Sequence, residues 1–206
     1  MSEFNPVSID QFLTNEEVTA ILSYAENTDV WIPYPDTIWD KRTITLDRIK
    51  PENSDVAEII EKAALKTQQI IHEKYDLPYT PYADAMSLCR WFDGMAQSPH
   101  CDDMSNVEGE NKIHGHREFG SIIYLNDDYD GGETYYPGHN FKIDPISGRI
   151  AIHLSDCNHR HGVTEIKGKT RYTIASFWTS DKKKATSSVN WKRVNGLEPS
   201  TFSLES

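Results

Sequence analysis

Two metal-binding side chains stand two positions apart in the short polar run SPHCDD, residues 98–103. His100 and Asp102 would share one face of an extended strand, because alternate side chains of a strand point the same way. With a rise of about 3.3 Å per residue, their Cα atoms would lie about 6.6 Å apart, close enough for both side chains to reach one metal ion. A His-X-Asp pair alone also serves in surface hydrogen bonding, so a metal site requires a third ligand.

Candidates for the third ligand occur in HRHGVTEIKGKTRYTIASFW, residues 159–178, which contains His159, His161 and, further on, Arg171. Strand alternation along RYTIASF would put Arg171, Thr173 and Ala175 on one face. A guanidinium on an inward face needs an anionic partner, because burying an unpaired charge is costly. A dicarboxylic ligand would supply that partner through paired hydrogen bonds. From these residues alone, either histidine could complete the site.

The elements that must position these residues divide into a helical first part and a strand-rich second part. Thr14 and Glu17 form a capping-box pattern before an apolar stripe that begins at Val18, and a longer stripe runs over 56–71. From about residue 83, short β-branched and aromatic runs alternate with turn residues, which favours antiparallel sheets. The order of helices first and strands second predicts an α+β fold.

The length of 206 residues predicts one domain with a sizeable core. We expect residues 1–206 to form a single domain, with a helical part over about 1–80, a β core over about 83–180 and a tail over 181–206. The tail would either lie over the body through Trp191 or fray.

The amino-acid composition limits the binding partners and the cellular compartment that we expect for this chain. Lys and Arg number 21 against 32 Asp and Glu, a formal charge of −11, which argues against a nucleic-acid partner because such binding depends on cations that neutralise phosphates. No apolar run approaches the roughly 20 residues of a membrane span, and the first residues lack a secretory-signal layout. We therefore expect a cytoplasmic protein, whose three cysteines without CxxC spacing are free thiols.

Several pieces of the chain together resemble the iron(II) and 2-oxoglutarate dependent dioxygenases, most closely their prolyl 4-hydroxylase-like branch. In chain order they are WFDG, PHCD, SIIYLNDDYDGGETYYP, FKIDPISGRIAIHLS and HGVTEIKGKTRYTIASFW. The helical segment SIDQFLTNEEVTAILSYAE extends the resemblance over most of the chain. The resemblance implies a double-stranded β-helix, or jelly roll, of antiparallel strands buttressed by the N-terminal helices.

The resemblance also implies a ligand set. His100, Asp102 and His161 would hold iron(II) as a facial triad, leaving three coordination positions open for 2-oxoglutarate and dioxygen. His161 is preferred over His159 because HGVTEIKGKTR gives the family's spacing to the basic residue. The histidines at positions 114, 116, 139 and 153 are expected not to touch the iron.

Three residues would bind the cosubstrate by the same resemblance. Arg171 would bind the distal carboxylate of 2-oxoglutarate, with Thr173 as a hydroxyl donor and Tyr124 as a phenol to the same group. The chain departs from the family at Trp91, which stands where a tyrosine usually opens this segment, so any phenol contact from that position is lost.

The implied reaction is hydroxylation of an unactivated C–H bond, with release of succinate and carbon dioxide and with ascorbate as an additional cofactor. The substrate would be a prolyl residue in a peptide or protein; the alternative is a free amino acid or another small metabolite. Nucleic-acid repair members carry a second arginine where this chain has Phe177. A zinc hydrolase and a metal-free β-barrel binding module are the alternatives from other classes.

The polar stretch DMSNVEGENKIHGHRE, residues 103–118, directly follows the His-X-Asp motif. It has no apolar periodicity and contains two glycines. We therefore predict a mobile lid that orders over bound substrate.

Overall fold

A computed structural model describes residues 3–105 and 113–191 of the chain. Within these residues the chain forms three α-helices: α1 (Asn15–Asn27), α2 (Leu46–Glu52) and α3 (Ser54–Lys74). It also forms ten β-strands: β1 (Val7–Ile9), β2 (Thr43–Thr45), β3 (Tyr82–Trp91), β4 (Gln97–His100), β5 (Phe119–Tyr124), β6 (Thr134–Tyr136), β7 (Phe141–Ile143), β8 (Ile150–Leu154), β9 (His161–Val163) and β10 (Arg171–Thr179).

The strands form two antiparallel sheets. The larger sheet has the order β1-β8-β5-β10-β3-β2, and the smaller has the order β4-β9-β6-β7. Except for β2 with β3 and β6 with β7, neighbouring strands in the sheets are not consecutive in the sequence, which is typical of a double-stranded β-helix. The predicted α+β fold with this antiparallel core is confirmed.

Two strands lie inside the part of the sequence that was predicted to be helical. Strand β1 pairs with β8 at one edge of the larger sheet, and β2 pairs with β3 at the other edge. Each has three residues, which is too short to produce a recognisable alternation of apolar and polar side chains.

Helices α1 and α3 follow the predicted apolar stripes. The capping box at the start of α1 is formed as predicted: the Glu17 N–H donates to Thr14 Oγ1 (3.2 Å), and the Thr14 N–H donates to Glu17 Oε2 (2.9 Å). Ile21 on α1 and Ile60 on α3 are buried in one cluster with Ile174 of the larger sheet. The helices therefore cover one face of that sheet and leave its other face to the smaller sheet.

Strand β10 shows how the sequence divides these two faces. Tyr172 and Ile174 join the apolar cluster under the helices. Arg171, Thr173 and Ala175 point the opposite way, into a cavity that residues of both sheets line. This is the alternation that the sequence predicts.

The last described residue, Trp191, packs against the body. Its ring makes edge contacts with Tyr82 and Trp178, and its indole N–H donates to the Thr186 carbonyl (2.8 Å). Residues 192–206 of the predicted tail and residues 106–112 of the predicted lid lie outside the described residues. Among the helices of the described ranges, none combines the length and apolar character needed to cross a membrane.

Candidate active site

The pairing of the two short strands β4 and β9 brings the predicted metal ligands together. His100 and His161 are direct partners in the register of these strands. Asp102 Oδ1 lies 3.6 Å from His100 Nε2 and 3.7 Å from His161 Nε2. One ligand atom from each of the three side chains lies within 4.8 Å of the others. We call His100, Asp102 and His161 the triad.

The local structure of the His-X-Asp motif differs from the simplest expectation. Strand β4 ends at His100, and Asp102 lies in the following turn. The two side chains therefore converge through a turn rather than along one strand face, because the chain changes direction immediately after His100.

Backbone carbonyls orient both histidine rings of the triad. His100 Nδ1 lies 3.1 Å from the Ser98 carbonyl, and His161 Nδ1 lies 3.1 Å from the His159 carbonyl. A carbonyl accepts only from a protonated nitrogen, so each Nδ1 carries the hydrogen and each Nε2 presents a lone pair, which at His100 lies 3.4 Å from Gln97 Nε2. These lone pairs are what a metal ion requires.

A second hydrogen-bonded pair fixes the carboxylate of Asp102. His153 Nε2 lies 3.0 Å from Asp102 Oδ2, and the Tyr136 hydroxyl lies 2.9 Å from His153 Nδ1. All three side chains are buried. His153 thus holds one oxygen of Asp102 and leaves the other directed at the triad histidines. His153 was expected not to touch the iron, and nothing in the sequence alone indicates this supporting role.

Gly120 makes room for this arrangement. Gly120 is paired with His153 across β5 and β8. A Cβ atom at this position would overlap Asp102 Oδ2 and would lie 2.7 Å from His153 Nε2. Glycine is therefore the residue that lets the carboxylate and the imidazole meet over this strand.

The electrostatics of Asp102 and His161 favour the protonation states that bind metal, whereas at His100 burial lowers the pKa but the hydrogen bond and charge of Asp102 raise it overall. Burial acts to raise the pKa of Asp102, but the neighbouring imidazoles of His161, His100 and His153 together hold it well below its usual value. Burial, helped by His153, lowers the pKa of His161 to about 3. An ionised carboxylate and a neutral imidazole are the ligand forms that a divalent cation binds.

His159, the alternative third ligand, points elsewhere. It is buried, its Nδ1 lies 2.8 Å from Asp156 Oδ1, and its Nε2 accepts a hydrogen bond from the Asn5 N–H (3.3 Å). Both ring nitrogens are therefore occupied away from the triad. His116 pairs with Asp84, and His139 Nε2 lies 2.8 Å from the Asn158 carbonyl.

The second part of the site is the guanidinium of Arg171. This residue is buried, with a relative exposure of 1%. Its Nε and Nη2 atoms have no hydrogen-bond partner among the described residues, and the same is true of the hydroxyl of Tyr129. Burial raises the pKa of the Tyr129 phenol, and the nearby Arg171 charge opposes that shift. These unpartnered donors lie close together and require an acceptor.

Two successive glycines with positive φ, Gly131 and Gly132, bring Tyr129 next to Arg171. Gly132 has φ +71°, a conformation that glycine adopts without strain. A Cβ atom there would lie 2.7 Å from the Tyr129 ring and 3.1 Å from Arg171 Cδ. The sequence alone did not identify Tyr129, whose only signal was its place just before these glycines.

The other predicted cosubstrate residues lie near Arg171 in different ways. Thr173 lines the cavity, two residues along β10. Tyr124 is fully buried behind Arg171, with the guanidinium carbon 5.3 Å from its ring centre, and its hydroxyl lies 2.6 Å from Thr134 Oγ1. The contact between Tyr124 and the cosubstrate stays a prediction.

The triad and Arg171 line one cavity of about 90 Å³. Its walls include three large aromatic side chains, Trp39, Trp91 and Phe177. Trp91 is held under the Arg42 guanidinium, whose carbon lies 3.9 Å from the ring centre. The cavity is therefore an apolar chamber with three metal-binding groups and one cation on its lining.

The residues present fit an iron(II) ion and a dicarboxylate. Two imidazoles and one carboxylate are a donor set for iron(II) that leaves coordination positions open. The unpartnered donors of Arg171 and Tyr129 match the two oxygens of a carboxylate. One dicarboxylate could thus span from the triad to Arg171.

Comparison with known proteins identifies the region that contains this site. Residues 86–179 match the family profile of the 2OG-Fe(II) oxygenase superfamily, and all the triad and cosubstrate residues named above fall within them. The sequence matches none of the curated proteins.

Solved structures confirm the fold. A collagen prolyl hydroxylase of Paramecium bursaria Chlorella virus-1 has a TM-score of 0.61 and 16% identity, over 86% of this chain and 96% of its own. A Pseudomonas putida prolyl-4-hydroxylase has a TM-score of 0.64 and 16% identity, over 85% and 92%. A Phytophthora capsici prolyl 4-hydroxylase has a TM-score of 0.60 and 21% identity, over 87% and 60%.

Proposed function

We propose that the chain is a 2OG-Fe(II) oxygenase, because residues 86–179 match the profile of that superfamily, and that it hydroxylates a prolyl residue of a peptide or protein. The superfamily uses iron(II), 2-oxoglutarate and dioxygen, and the donor set of the triad is suited to that metal. The identity of the substrate is the part of the proposal that the family match does not supply.

The observation that carries the proposal is that the triad lines the same cavity as Arg171, two of whose nitrogens have no hydrogen-bond partner among the described residues. We assign His100, Asp102 and His161 as the iron ligands. We assign Arg171, with Thr173 and Tyr129, to the distal carboxylate of 2-oxoglutarate. His161 rather than His159 is the third ligand, because both ring nitrogens of His159 are bonded elsewhere.

Iron(II) and 2-oxoglutarate, when bound, supply the oxidation of a C–H bond by dioxygen, with succinate and carbon dioxide as the other products. The chain's own residues position and shield these groups. His153 and Tyr136 fix the Asp102 carboxylate. The apolar walls exclude water from the reacting centre, and this exclusion strengthens the charge interaction at Arg171.

Two observations support proline as the target. The similar structures include enzymes that are named as prolyl hydroxylases from a virus, a bacterium and an oomycete. The aromatic walls at Trp39, Trp91 and Phe177 give the cavity flat apolar surfaces, against which a pyrrolidine ring packs well.

The experiment that tests the proposal measures succinate formed from 2-oxoglutarate with iron(II), ascorbate and a panel of proline-rich peptides. We expect at least one peptide to stimulate succinate formation and to gain 16 Da on a proline, as one added oxygen atom requires. Asp102→Asn is the inactive control, and Asp103→Asn, at a neighbouring buried carboxyl, is the matched control.

Two other outcomes would change the proposal. Succinate that free amino acids stimulate and peptides do not would replace the prolyl substrate with a small metabolite. The absence of succinate from iron-loaded protein under all conditions would contradict the oxygenase activity itself.

A further inference from the structure

A pair of cysteines lies beside the triad but takes no part in lining the cavity. Cys101 Sγ and Cys157 Sγ are 2.6 Å apart, which is about 0.6 Å longer than a disulfide bond. We propose that Cys101 and Cys157 are a redox site that closes to a disulfide and ties together the two segments that carry the triad.

The positions of the two cysteines determine which segments of the chain the disulfide would connect. Cys101 lies between His100 and Asp102, and Cys157 begins the short helix Cys157–His159 that leads directly into His161. The cysteines are 56 positions apart in the sequence. A bond between them therefore joins the segment with two triad residues to the segment with the third.

The exposure of the two thiols indicates which of them reacts first. Cys101 is 4% exposed, whereas Cys157 is only partly buried. With a small disulfide such as oxidised glutathione as the oxidant, the Cys157 thiol loses its proton to water and attacks one glutathione sulfur, releasing one glutathione thiol. The Cys101 thiol then attacks the mixed disulfide and releases the second. The protein loses two hydrogens, and two glutathione thiols are formed.

The triad residues can keep their positions when the disulfide between Cys101 and Cys157 forms. Asp102, next to Cys101, is held by His153 on one side and is packed over Gly120 on the other. The short shift that the bond requires falls on Cys157, whose side chain faces Ser105 Oγ at 3.0 Å and is partly open to solvent. The oxidised protein is therefore expected to retain a complete triad.

Peptide mapping tests the linkage. Cleavage after Lys and Arg puts each cysteine on its own peptide: Cys89 on 75–90, Cys101 on 91–112 and Cys157 on 150–160. After oxidised glutathione is added to the folded full-length chain, we expect 91–112 joined to 150–160, with Cys89 still free. A stable glutathione adduct on Cys157, a bond to Cys89, or three unmodified thiols would overturn the proposal.

A second measurement tests the consequence for the site. Closing a loop of this length is expected to raise the melting temperature of the oxidised chain by about 5 °C or more over the reduced chain. It should also slow the release of iron(II) to a chromogenic chelator several-fold. The variants Cys157→Ser and Cys157→Ala provide the control, because neither can form the bond to Cys101.

The two proposals can fail separately. The linkage is measured by mass and does not depend on catalysis, so a chain that forms the bond but makes no succinate would contradict only the proposed function. A bond that forms while iron release becomes faster, or the melting temperature falls, would overturn the stabilising role proposed here.

Discussion

The two ends of the cavity are built in opposite ways. At the triad end, Asp102 has a hydrogen bond from His153 and two further imidazoles within 3.7 Å. At the other end, two nitrogens of Arg171 have no partner among the described residues, and neither does the hydroxyl of Tyr129, which lies beside Arg171 and behind the cavity lining. One end is assembled by the protein itself, whereas the other end is incomplete without a ligand.

The difference indicates where the binding free energy of each ligand comes from. Holding the triad in place before the metal arrives reduces the entropy that is lost on binding. A buried guanidinium without a partner raises the free energy of the ligand-free protein, and a carboxylate relieves that cost when it binds. The Arg171 end should therefore control affinity for 2-oxoglutarate, and the triad end should control affinity for iron.

The largest effect is expected from Asp102→Asn, which removes the one anionic group of the triad. Partners of metal ligands typically contribute roughly 10- to 100-fold to metal affinity or activity, so we expect the loss of this ligand to lower iron affinity and succinate formation more than 100-fold. Titration with iron(II) and a succinate assay measure the two effects. Near-normal turnover in this variant would contradict the assignment of the triad.

Arg171→Met tests the other end. Because charge-assisted hydrogen bonds contribute about 1.5–3 kcal/mol each, we expect the Kd for 2-oxoglutarate to rise about 100-fold, with iron affinity unchanged. The melting temperature of the ligand-free variant should not fall, since an unpartnered buried charge is removed. Arg48→Met, on the exposed side of α2, is the matched control. Equal losses of iron and 2-oxoglutarate affinity would remove the distinction between the two ends.

His153→Leu tests whether the triad depends on its supporting hydrogen bond. Without His153, Asp102 Oδ2 loses its partner, and the carboxylate is no longer fixed in direction. We expect iron affinity to fall about 10- to 100-fold, as measured by competition with a chelator. His139→Leu, whose imidazole contacts Phe4 and Asn158 instead, should bind iron normally. If both variants bind iron as the unchanged protein does, His153 has no positioning role.

The smallest effect is expected from Tyr129→Phe, which removes one unpartnered hydroxyl beside Arg171. A single hydrogen bond of about 0.5–1.5 kcal/mol predicts a rise of about 2- to 10-fold in the Kd for 2-oxoglutarate. Tyr24→Phe is a close control, because the Tyr24 hydroxyl is also buried with no partner in the described part of the chain but lies on α1, away from the cavity. A similar rise in both variants would exclude a specific contact from Tyr129.

Residue spacing was enough to predict the main elements, whereas the choice of His161 to complete the triad came from the family resemblance. The alternation along RYTIASF correctly placed Arg171 and Thr173 on the cavity face, and the apolar stripes correctly predicted α1 and α3. Both patterns repeat over several residues, so they identify the face that each side chain takes.

What the sequence missed depends on contacts between distant segments. Asp102, Gly120 and His153 come from three separate parts of the chain, and only the pairing of β5 with β8 brings them together. The same holds for Cys101 and Cys157, which looked like unrelated free thiols until the fold placed their sulfurs 2.6 Å apart.

The most direct test of the central claim is equilibrium binding of 2-oxoglutarate without oxygen, with the iron-loaded protein and the iron-free protein. The account predicts tight binding only with iron, weaker binding of glutarate, which lacks the keto group, and little binding of pyruvate, which lacks the second carboxylate for Arg171. Binding that is the same for pyruvate and 2-oxoglutarate, or that does not change when iron is removed, would contradict the claim that one ligand spans both ends of the cavity.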